Sequence, residues 1–555
     1  MGPDLQPLSS TLLRKNRCYE VTLDPGSQEL SWRDLQPRRN RAGICLAGVH
    51  YGARHLACCT GEQSLSAFQS VPVSEIISVE EAAIDGGKWQ QTFKPCGFTV
   101  HYVRRARKHR WRCSEMTFWC NDEQLYNQWF QALKRLLELQ TSRPKHLLVY
   151  INPFGGKRQG KQIFDKKVAP LFSLAAISAD VIVTERANHA KDNLFEVELD
   201  KYDGIVCVGG DGMFSEVMHG LIGRIQKDSG IDQNNSRAPL TQCNIRIGII
   251  PAGSTDCVCY ATVGINDPVT SALHIIIGDS QNLDVCSAHH NNTFLKYSVS
   301  LMGYGFYGDV LKTSEKNRWM GPSRYDISGF KTFLSHHSYE GTVSFRPAKQ
   351  ALASPRDKQL CKFGCPVCRQ AKKQLEMQQK EPFVGLEHNE DGDWQTVRGK
   401  FIAINAANMS CACPRSPKGL SPAAHLADGT ADLILVRKCS RFKFLRHLIR
   451  HTNKEDQFDF PFVEVYRVKK FLFTPKHYEE EDNDNNDVAK KHFAHICTEK
   501  PPCGCRRVNS IWNCDGEPLD HPSIEVGVHC QLIKLFARGI EDPSKSKDHV
   551  DSNRL

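Results

Sequence analysis

The amino-acid sequence predicts a multidomain α/β and β protein with an N-terminal β domain, a doubly wound α/β domain and a C-terminal antiparallel β-rich domain. Three observations predict this fold class. Short strand patterns fill the N-terminal part, apolar runs then alternate with helical patterns, and strand patterns separated by long inserts follow from about residue 290. Alternation of apolar runs with helical patterns is typical of parallel strands that carry helices on both faces.

Length and charge set limits on the kind of protein. The chain has 555 residues and a formal net charge of +10 at pH 7, so we expect two to four domains of about 100 to 200 residues each. Charged residues make up an ordinary 24%, which favours local basic surfaces over nucleic-acid binding. No signal-peptide core and no apolar run of about 20 residues is present. We therefore expect a cytoplasmic protein whose 23 cysteines are reduced.

The N-terminal domain is expected over residues 1–140. Its strand patterns are "CYEVTL", "LSWRDL", "VPVSEIISVEE", "GFTVHYV" and "EMTFWC", and the helical segment "NDEQLYNQWFQALKRLLEL" follows them. In that segment one apolar stripe carries Leu125, Trp129, Leu133 and Leu136. Strands followed by one helix with a tryptophan resemble a pleckstrin-homology domain, in which the tryptophan packs under a β-barrel. Any small β domain with a C-terminal helix is the alternative.

A basic stretch in this domain, "HYVRRARKHRWR", contains no acid. Its basic side chains are Arg104, Arg105, Arg107, Lys108, Arg110 and Arg112. Such a cluster attracts the anionic headgroups of phosphoinositides, and the resemblance favours a membrane-targeting role. A solvated strand face is the alternative.

Three glycine-bearing loops follow predicted strands of the α/β domain, which is expected over residues 145–290. They are "NPFGGKRQG", "GGDG" and "PAGSTDC". Loops at the carboxyl ends of parallel strands gather in one crevice, so we expect the three to be neighbours. Glycines let backbone N–H groups approach phosphate oxygens. Neither the P-loop pattern, nor the dinucleotide-binding pattern, nor the protein-kinase set is present, so another phosphate-binding architecture is indicated.

In this order the three loops resemble the diacylglycerol-kinase catalytic domain that lipid kinases share. The resemblance covers Lys145 to about Ala288, and "HLADGTADLILV" and "CDGE" extend it towards Arg538. Together with the N-terminal domain, "GYGFYGDV", "CKFGCPVC" and "NMSCACPRSP" are similar to the ceramide kinases of that family. The resemblance implies ATP- and Mg²⁺-dependent phosphorylation of the primary hydroxyl of ceramide to ceramide 1-phosphate. Sphingosine kinase, diacylglycerol kinase and a catalytically silent phosphoinositide-binding adaptor are the alternatives.

Asp211, between the glycines of "GGDG", is the candidate general base. Phosphoryl transfer depends on positioning, charge neutralisation and a group that accepts the proton of the attacking hydroxyl. A carboxylate that caps the following helix or holds Mg²⁺ through water is the alternative. The resemblance places these residues at the nucleotide: Asn152, Pro153, Phe154, Thr184, Glu185, Arg186, Ala187, Asn188, Glu216, Gly253, Ser254, Thr255, Arg318, Arg324, Asp515, Gly516 and Glu517. It places the lipid substrate at Gly209, Gly210, Asp211, Gly212 and Asp309.

Arg158 departs from the family pattern, because glycine is common at its position in the first loop. A side chain at that turn disfavours close approach of the backbone.

Three cysteines, Cys361, Cys365 and Cys368, have the spacing C-x₃-C-x₂-C. Structural Zn²⁺ would need a fourth ligand. The candidates for this fourth ligand are Cys411, Cys413, Cys503 and Cys505. Reduced structural or redox-sensitive thiols are the other interpretation.

The segment "LVRKCSRFKFLRHLIRHTNK", from Leu435 to Lys454, predicts a basic amphipathic helix with Leu435, Phe442 and Leu448 as apolar positions. Such a helix is typical of calmodulin targets and of membrane-surface helices. The Ca²⁺-dependent stimulation that the resemblance implies favours calmodulin, and a surface helix of the C-terminal domain is the alternative.

The C-terminal β-rich domain is expected over residues 291–540, where it would bind lipid and complete the nucleotide site. A disordered tail is expected at 541–555, and the acidic stretch from Glu479 to Asp487 predicts a disordered loop. We expect peripheral association with membranes, at the Golgi and the plasma membrane.

Overall fold

The computed structural model describes residues 6–15, 17–35, 68–83, 96–120, 122–317, 320–321, 323–348, 354–357, 359–380, 394–453, 455–476 and 509–542. They form two compact units. The first contains the described residues up to Arg107 and from Trp111 to Arg143, and the second contains Lys108–Arg110 and the described residues from Pro144 onward. Several predictions lie outside the described residues, namely those for Arg318, Cys503, Cys505, residues 479–487 and the predicted tail apart from Glu541 and Asp542.

The first unit contains one antiparallel sheet of seven strands. They are β1 (Leu8–Arg14), β2 (Arg17–Asp24), β3 (Glu29–Asp34), β4 (Gln69–Pro72), β5 (Ile76–Glu81), β6 (Cys96–Arg105) and β7 (Trp111–Cys120). The spatial order is β4-β3-β2-β1-β7-β6-β5, and within the described residues no ladder joins β4 to β5. The strands of the expected pleckstrin-homology-like β-barrel are therefore present as one seven-stranded antiparallel sheet. Strand β1 was not predicted, because only Leu12 of its seven residues is fully buried and the apolar alternation is weak.

Helix α1 (Glu123–Glu138) packs against this sheet as predicted. Asp122 caps it by accepting the backbone N–H of Leu125 at 2.7 Å. The indole of Trp129 is fully buried, stacks on Phe98 at a centroid distance of 6.3 Å and donates its N–H to Ser10 Oγ at 3.2 Å. The tryptophan thus anchors the helix to the sheet.

The second unit begins with four parallel strands in the order β9-β8-β10-β11. The strands are β8 (His146–Ile151), β9 (Ser178–Val183), β10 (Gly204–Gly209) and β11 (Arg246–Pro251). The helices are α2 (Gly160–Ile163), α3 (Ala169–Leu174), α4 (His189–Asn193), α5 (Asp211–Asp228), α6 (Cys257–Val263) and α7 (Pro268–Ile276), with a π turn (Phe164–Val168) between α2 and α3. Helix α3 packs with α7, and α4 packs with α5. This arrangement confirms the doubly wound α/β prediction.

A mainly antiparallel layer follows. Its strands are β12 (Gln281–His290), β13 (Thr293–Ser298), β14 (Leu301–Gly305), β15 (Tyr339–Pro347), β16 (Gln395–Ala407), β17 (Ala431–Arg437), β18 (Val463–Pro475), β19 (Trp512–Cys514), β20 (Glu517–Leu519) and β21 (Ile524–Leu535). Its helices are α8 (Phe306–Glu315), α9 (Ser323–Ser335), α10 (Pro366–Lys380) and α11 (Arg441–Arg450). Strand β21 pairs in parallel with β11 and antiparallel with β12 and β18, so it joins both layers into one sheet.

The predicted basic helix from Leu435 to Lys454 is wrong in its extent. Leu435 is a buried residue of β17, and the helix in this region is α11, which begins at Arg441 and ends at Arg450. In the sequence, the apolar run of this core strand and the basic helix after it form one continuous pattern. Among the described residues, no helix has the length and apolarity needed to cross a bilayer.

Candidate active site

The three glycine-bearing loops meet at the carboxyl ends of β8, β10 and β11, as predicted. A methyl group added at Gly156 would lie 2.3 Å from the carbonyl oxygen of Ala252. One added at Gly253 would lie 2.5 Å from the Cα atom of Gly210. Side chains at these glycines would therefore force the loops apart, and their absence lets three backbones share one small space.

The first loop is shaped by Asn152, which directly follows β8. Its side-chain oxygen accepts the backbone N–H groups of Phe154 at 2.8 Å and Gly155 at 3.1 Å. Gly156 has φ +56° and Arg158 has φ +58°. Arg158 is exposed and adopts the left-handed backbone that glycine favours. Arginine at position 158, where glycine is common in the family, therefore leaves the close contact between Gly156 and Ala252 in place.

Asp211 is half-buried at the first position of α5. Its carboxylate accepts the backbone N–H groups of Cys257 at 2.9 Å and Val258 at 3.0 Å, at the start of α6. It therefore caps α6, whereas the alternative expectation was a cap on the helix that it begins. Burial raises the pKa of Asp211, and the two backbone hydrogen bonds oppose that shift.

Asp256 is a second acid at this point, and the sequence analysis did not select it. Only 7% of it is exposed, its φ is +51° and its side chain accepts the N–H of Gly253 at 3.0 Å. Burial and the negative charge of Asp211 raise its pKa to about 7. The sequence signal for Asp256 is its position inside the motif "PAGSTDC". Two interacting carboxylates therefore lie where the second and third loops meet.

The "TERAN" segment follows β9 and is connected to α5. Glu216 on α5 accepts the backbone N–H of Ala190 at 2.8 Å, just beyond Asn188, whose φ is +60°. Thr184 is buried and donates its N–H to Ile151 of β8 at 2.9 Å. The other members of the segment make local contacts, which involve Glu185 with His189, Arg186 with Asp192, and Arg186 with Ala187.

The "CDGE" turn joins β19 to β20. Asp515 accepts hydrogen bonds of 2.8 to 3.1 Å from the backbone and hydroxyl groups of Ser298, Val299, Ser300 and Leu301. Its negative charge contributes to the raised pKa of Asp211, which places this turn near the acid pair. Gly516 has φ +91°, and Glu517 forms an ion pair with Lys296.

The remaining predicted site residues differ in position. Pro153, Ser254 and Thr255 lie in the first and third loops, whereas Gly209 ends β10 and Gly212 is the second residue of α5. Asp309 lies on α8, where it accepts hydrogen bonds from Tyr339 at 2.5 Å and from Ser510 at 2.8 Å. Arg324 lies on α9, 3.7 Å from Glu315. The structure thus gathers the loop residues, while Asp309 and Arg324 lie on separate helices and contact other residues.

The cysteine-rich motifs fall into two places. Cys257 donates its thiol to the carbonyl oxygen of Ala412 at 3.6 Å, so the "NMSCACPRSP" segment adjoins the third loop. In the described residues, the group formed by Cys361, Cys365 and Cys368 is completed by His425. Cys411 and Cys413, two candidates for the fourth ligand, do not belong to this group, and Cys411 donates to Ser300 O at 3.3 Å.

Comparison with known proteins covers nearly the whole chain. Residues 8–133 match the model of the ceramide kinase PH domain, 146–288 that of the diacylglycerol kinase catalytic domain, and 299–552 that of the ceramide kinase C-terminal domain. The chain is 60% identical to ceramide kinase from Homo sapiens, covering 98% of both chains. It is 59% identical to ceramide kinase from Mus musculus, covering 97% of this chain and 99% of the relative.

Among solved structures, the chain is similar to a diacylglycerol kinase from Bacillus anthracis str. Sterne. The two are 12% identical, with a TM-score of 0.42, over 72% of this chain and 98% of that one.

Proposed function

The chain belongs to the ceramide kinase family, and from that premise we propose that it transfers the γ-phosphate of ATP to the primary hydroxyl of ceramide, yielding ceramide 1-phosphate and ADP. The observation that carries the proposal is the meeting of three glycine loops beside Asp211 and Asp256. This arrangement offers backbone N–H groups to phosphates and a carboxylate to a hydroxyl, which are the two requirements of phosphoryl transfer.

Asp211 acts as the general base in this proposal. The lipid hydroxyl oxygen bonds to the γ-phosphorus, the bond from that phosphorus to the β,γ-bridging oxygen breaks, and the hydroxyl proton moves to the Asp211 carboxylate. Helix α6 holds that carboxylate through two backbone N–H groups. Because burial raises its pKa, Asp211 has a higher proton affinity than an ordinary aspartate and suits the role of base.

The nucleotide is proposed to occupy the floor that the three loops form, against Asn152, the "TERAN" segment, Glu216 and residues 253–255. Arg318, Arg324 and the "CDGE" turn would complete the site. The paired carboxylates of Asp211 and Asp256 are donors of the type that Mg²⁺ prefers. Mg²⁺ bound with ATP would neutralise phosphate charge.

Ceramide is proposed to come from a bilayer, with the protein peripherally bound. In the first unit Arg105 forms an ion pair of 2.5 Å with the buried Glu75. We therefore exclude Arg105 from the predicted headgroup site. Four of the other predicted basic residues are exposed, namely Arg104, Arg107, Lys108 and Arg110. These remain available for phosphoinositide headgroups.

A second surface on α9 and α11 supports the same proposal. Phe330 is 66% exposed and Phe442 is 82% exposed, and the two helices meet where Phe333 stacks on Phe444 at 6.4 Å. Exposed basic residues of α11 are Arg441, Lys443 and Arg446. Apolar side chains with a basic rim suit an anionic lipid surface. The Golgi and the plasma membrane are the proposed locations.

Three further assignments are proposed. Activation by Ca²⁺ through calmodulin would rest on Phe442 and Leu448, since Leu435 is buried in β17. Cys361, Cys365 and Cys368 would hold structural zinc. The domain boundaries are proposed at 1–140, 145–290 and 291–540, with a tail at 541–555.

The test is a labelled-ATP assay of the full chain with ceramide, sphingosine and diacylglycerol in mixed micelles, with and without Ca²⁺ and calmodulin. The proposal predicts that ceramide is the preferred acceptor. A preference for sphingosine or diacylglycerol would overturn the substrate assignment, and no transfer to any of the three lipids would favour the adaptor.

A further inference from the structure

A second cluster of chemically active side chains lies outside the three loops. Its members are Cys361, Cys365, Cys368 and His425, and their ligand atoms all lie within 4.8 Å of one another. The cysteines surround the start of α10, whereas the histidine belongs to the connection between β16 and β17. The proposed phosphoryl transfer uses none of them.

Two distances within the cluster are close to the edges of a tetrahedral metal site. The sulfur atoms of Cys361 and Cys368 are 3.6 Å apart, and Cys365 Sγ is 3.4 Å from His425 Nδ1. Zinc bonds of about 2.3 Å to sulfur and about 2.0 Å to nitrogen place tetrahedral ligands about 3.5 to 3.8 Å apart. A disulfide would need about 2.05 Å between sulfur atoms. The sulfur atoms of Cys361 and Cys368 are thus spaced as two ligands of one ion.

The backbone is shaped to bring these atoms together. Gly364 has φ +69°, and the N–H of Cys365 donates to Lys362 O at 3.0 Å, which closes a turn between the first two cysteines. The N–H of Leu426 donates to Cys361 Sγ at 3.5 Å. Outer-shell hydrogen bonds of this kind orient ligands around bound metals.

Burial of the histidine needs an explanation that hydrogen bonds do not supply. His425 is only 2% exposed, its Nδ1 atom faces the thiol of Cys365, and its buried Nε2 atom has no hydrogen-bond partner among the described residues. Buried polar groups are costly without strong partners. Metal coordination at Nδ1 would give the buried ring one strong bond, whereas its Nε2 atom would stay without a partner.

We infer that Cys361, Cys365, Cys368 and His425 bind one structural zinc ion that fastens the α10 segment to the β16–β17 connection. Four protein ligands leave no open position, as in structural zinc sites. The cluster is also tied to the strands that join both layers. Gln531 of β21 donates to Cys368 O at 3.3 Å, and Asp284 of β12 donates its N–H to Leu426 O at 2.8 Å. The metal would therefore hold α10 against β12 and β21.

Metal analysis of the full chain, purified without chelators, tests this inference. We expect about one zinc per chain in the wild type and loss of that zinc in Cys365→Ser and His425→Gln. His425→Cys restores a thiolate ligand, so it should retain zinc. Cys439→Ser and His337→Gln alter the same residue types elsewhere in the second unit and should retain it as well.

Cobalt substitution provides a second readout that does not depend on enzyme activity. Cobalt in the wild type should show thiolate charge-transfer absorption and the visible bands of a tetrahedral site. His425→Gln should lose the tetrahedral bands, whereas His425→Cys should keep them.

Three results would overturn the inference. They are a wild type that neither carries nor takes up zinc, a disulfide between cysteines of the cluster, and full zinc retention by His425→Gln. Because these measurements record the metal alone, their failure is distinguishable from failure of the proposed kinase activity.

Discussion

Replacing Gly253 with alanine should disable the site by separating two of its loops. The added methyl carbon would lie 2.5 Å from Gly210 Cα and 2.4 Å from Asp256 Oδ1. Ordinary van der Waals contacts of such an atom are 3.4 to 4 Å. The Gly210 backbone cannot rotate away as a side chain can, so the loops must move apart by about 1 Å. The displacement moves Gly210, the residue directly before Asp211.

The size of the effect follows from the displacement. Overpacking costs about 1 to 3 kcal/mol of folding free energy, while a 1 Å misplacement of reacting groups can cost about 100-fold in rate. We therefore expect Gly253→Ala to remain folded and to lose about 100-fold in kcat for ceramide phosphorylation. The assay is steady-state transfer from labelled ATP to ceramide in mixed micelles, with thermal unfolding of the same samples as the folding control.

Gly527→Ala is the matched substitution, since the nearest atom to its added methyl is Ser287 Oγ at 4.0 Å. We expect wild-type kcat and stability for this variant. A folded Gly253→Ala protein with wild-type kcat would refute the view that close backbone contact between the loops positions Asp211.

Three further predictions concern the acid, the first unit and the membrane surface. Asp211 must be ionised to act as base, and burial raises its pKa above the usual aspartate value of about 3.9. We therefore expect kcat/KM to fall about tenfold per pH unit below that raised pKa. An acidic fall in kcat/KM that begins only at or below about pH 3.9 would contradict the assignment. Trp129→Ala should destabilise the first unit by about 3 to 5 kcal/mol, seen as faster hydrogen exchange of β6 in the full chain, and unchanged exchange would refute the anchoring role. Phe442→Glu should weaken sedimentation with anionic vesicles by about tenfold or more, whereas Met377→Glu, at a side chain on α10 that is 68% exposed, should not; equal effects would contradict the assigned surface.

The sequence predicted the features that depend on local pattern. Apolar runs followed by glycine loops identified β8, β10 and β11 and the gathering of their ends, because parallel strands place those ends at one edge. The helical stripe around Trp129 identified α1, since its apolar residues recur with helical spacing. Asp211 was visible because it lies between glycines at the end of a strand.

Features that depend on distant pairing were missed. Strand β21 completes the parallel sheet from the far end of the chain, and no local pattern specifies which strand it pairs with. His425 lies 57 positions beyond Cys368, so spacing alone could not connect it to the cysteines. Leu435 was assigned to a helix because apolar residues of a core strand and of the following helix form one continuous pattern. Asp256 was overlooked because its burial beside Asp211 arises only when two loops meet.

Phosphate transfer to ceramide by Asp211→Asn, compared with the wild type, tests directly whether Asp211 is the general base. Both proteins should be folded and should bind ATP, since asparagine keeps the size of the side chain and an oxygen that can accept from the α6 backbone. We predict a loss of kcat of about 100- to 10,000-fold, the usual contribution of a positioned general base. A folded Asp211→Asn protein that phosphorylates ceramide at the wild-type rate would contradict it.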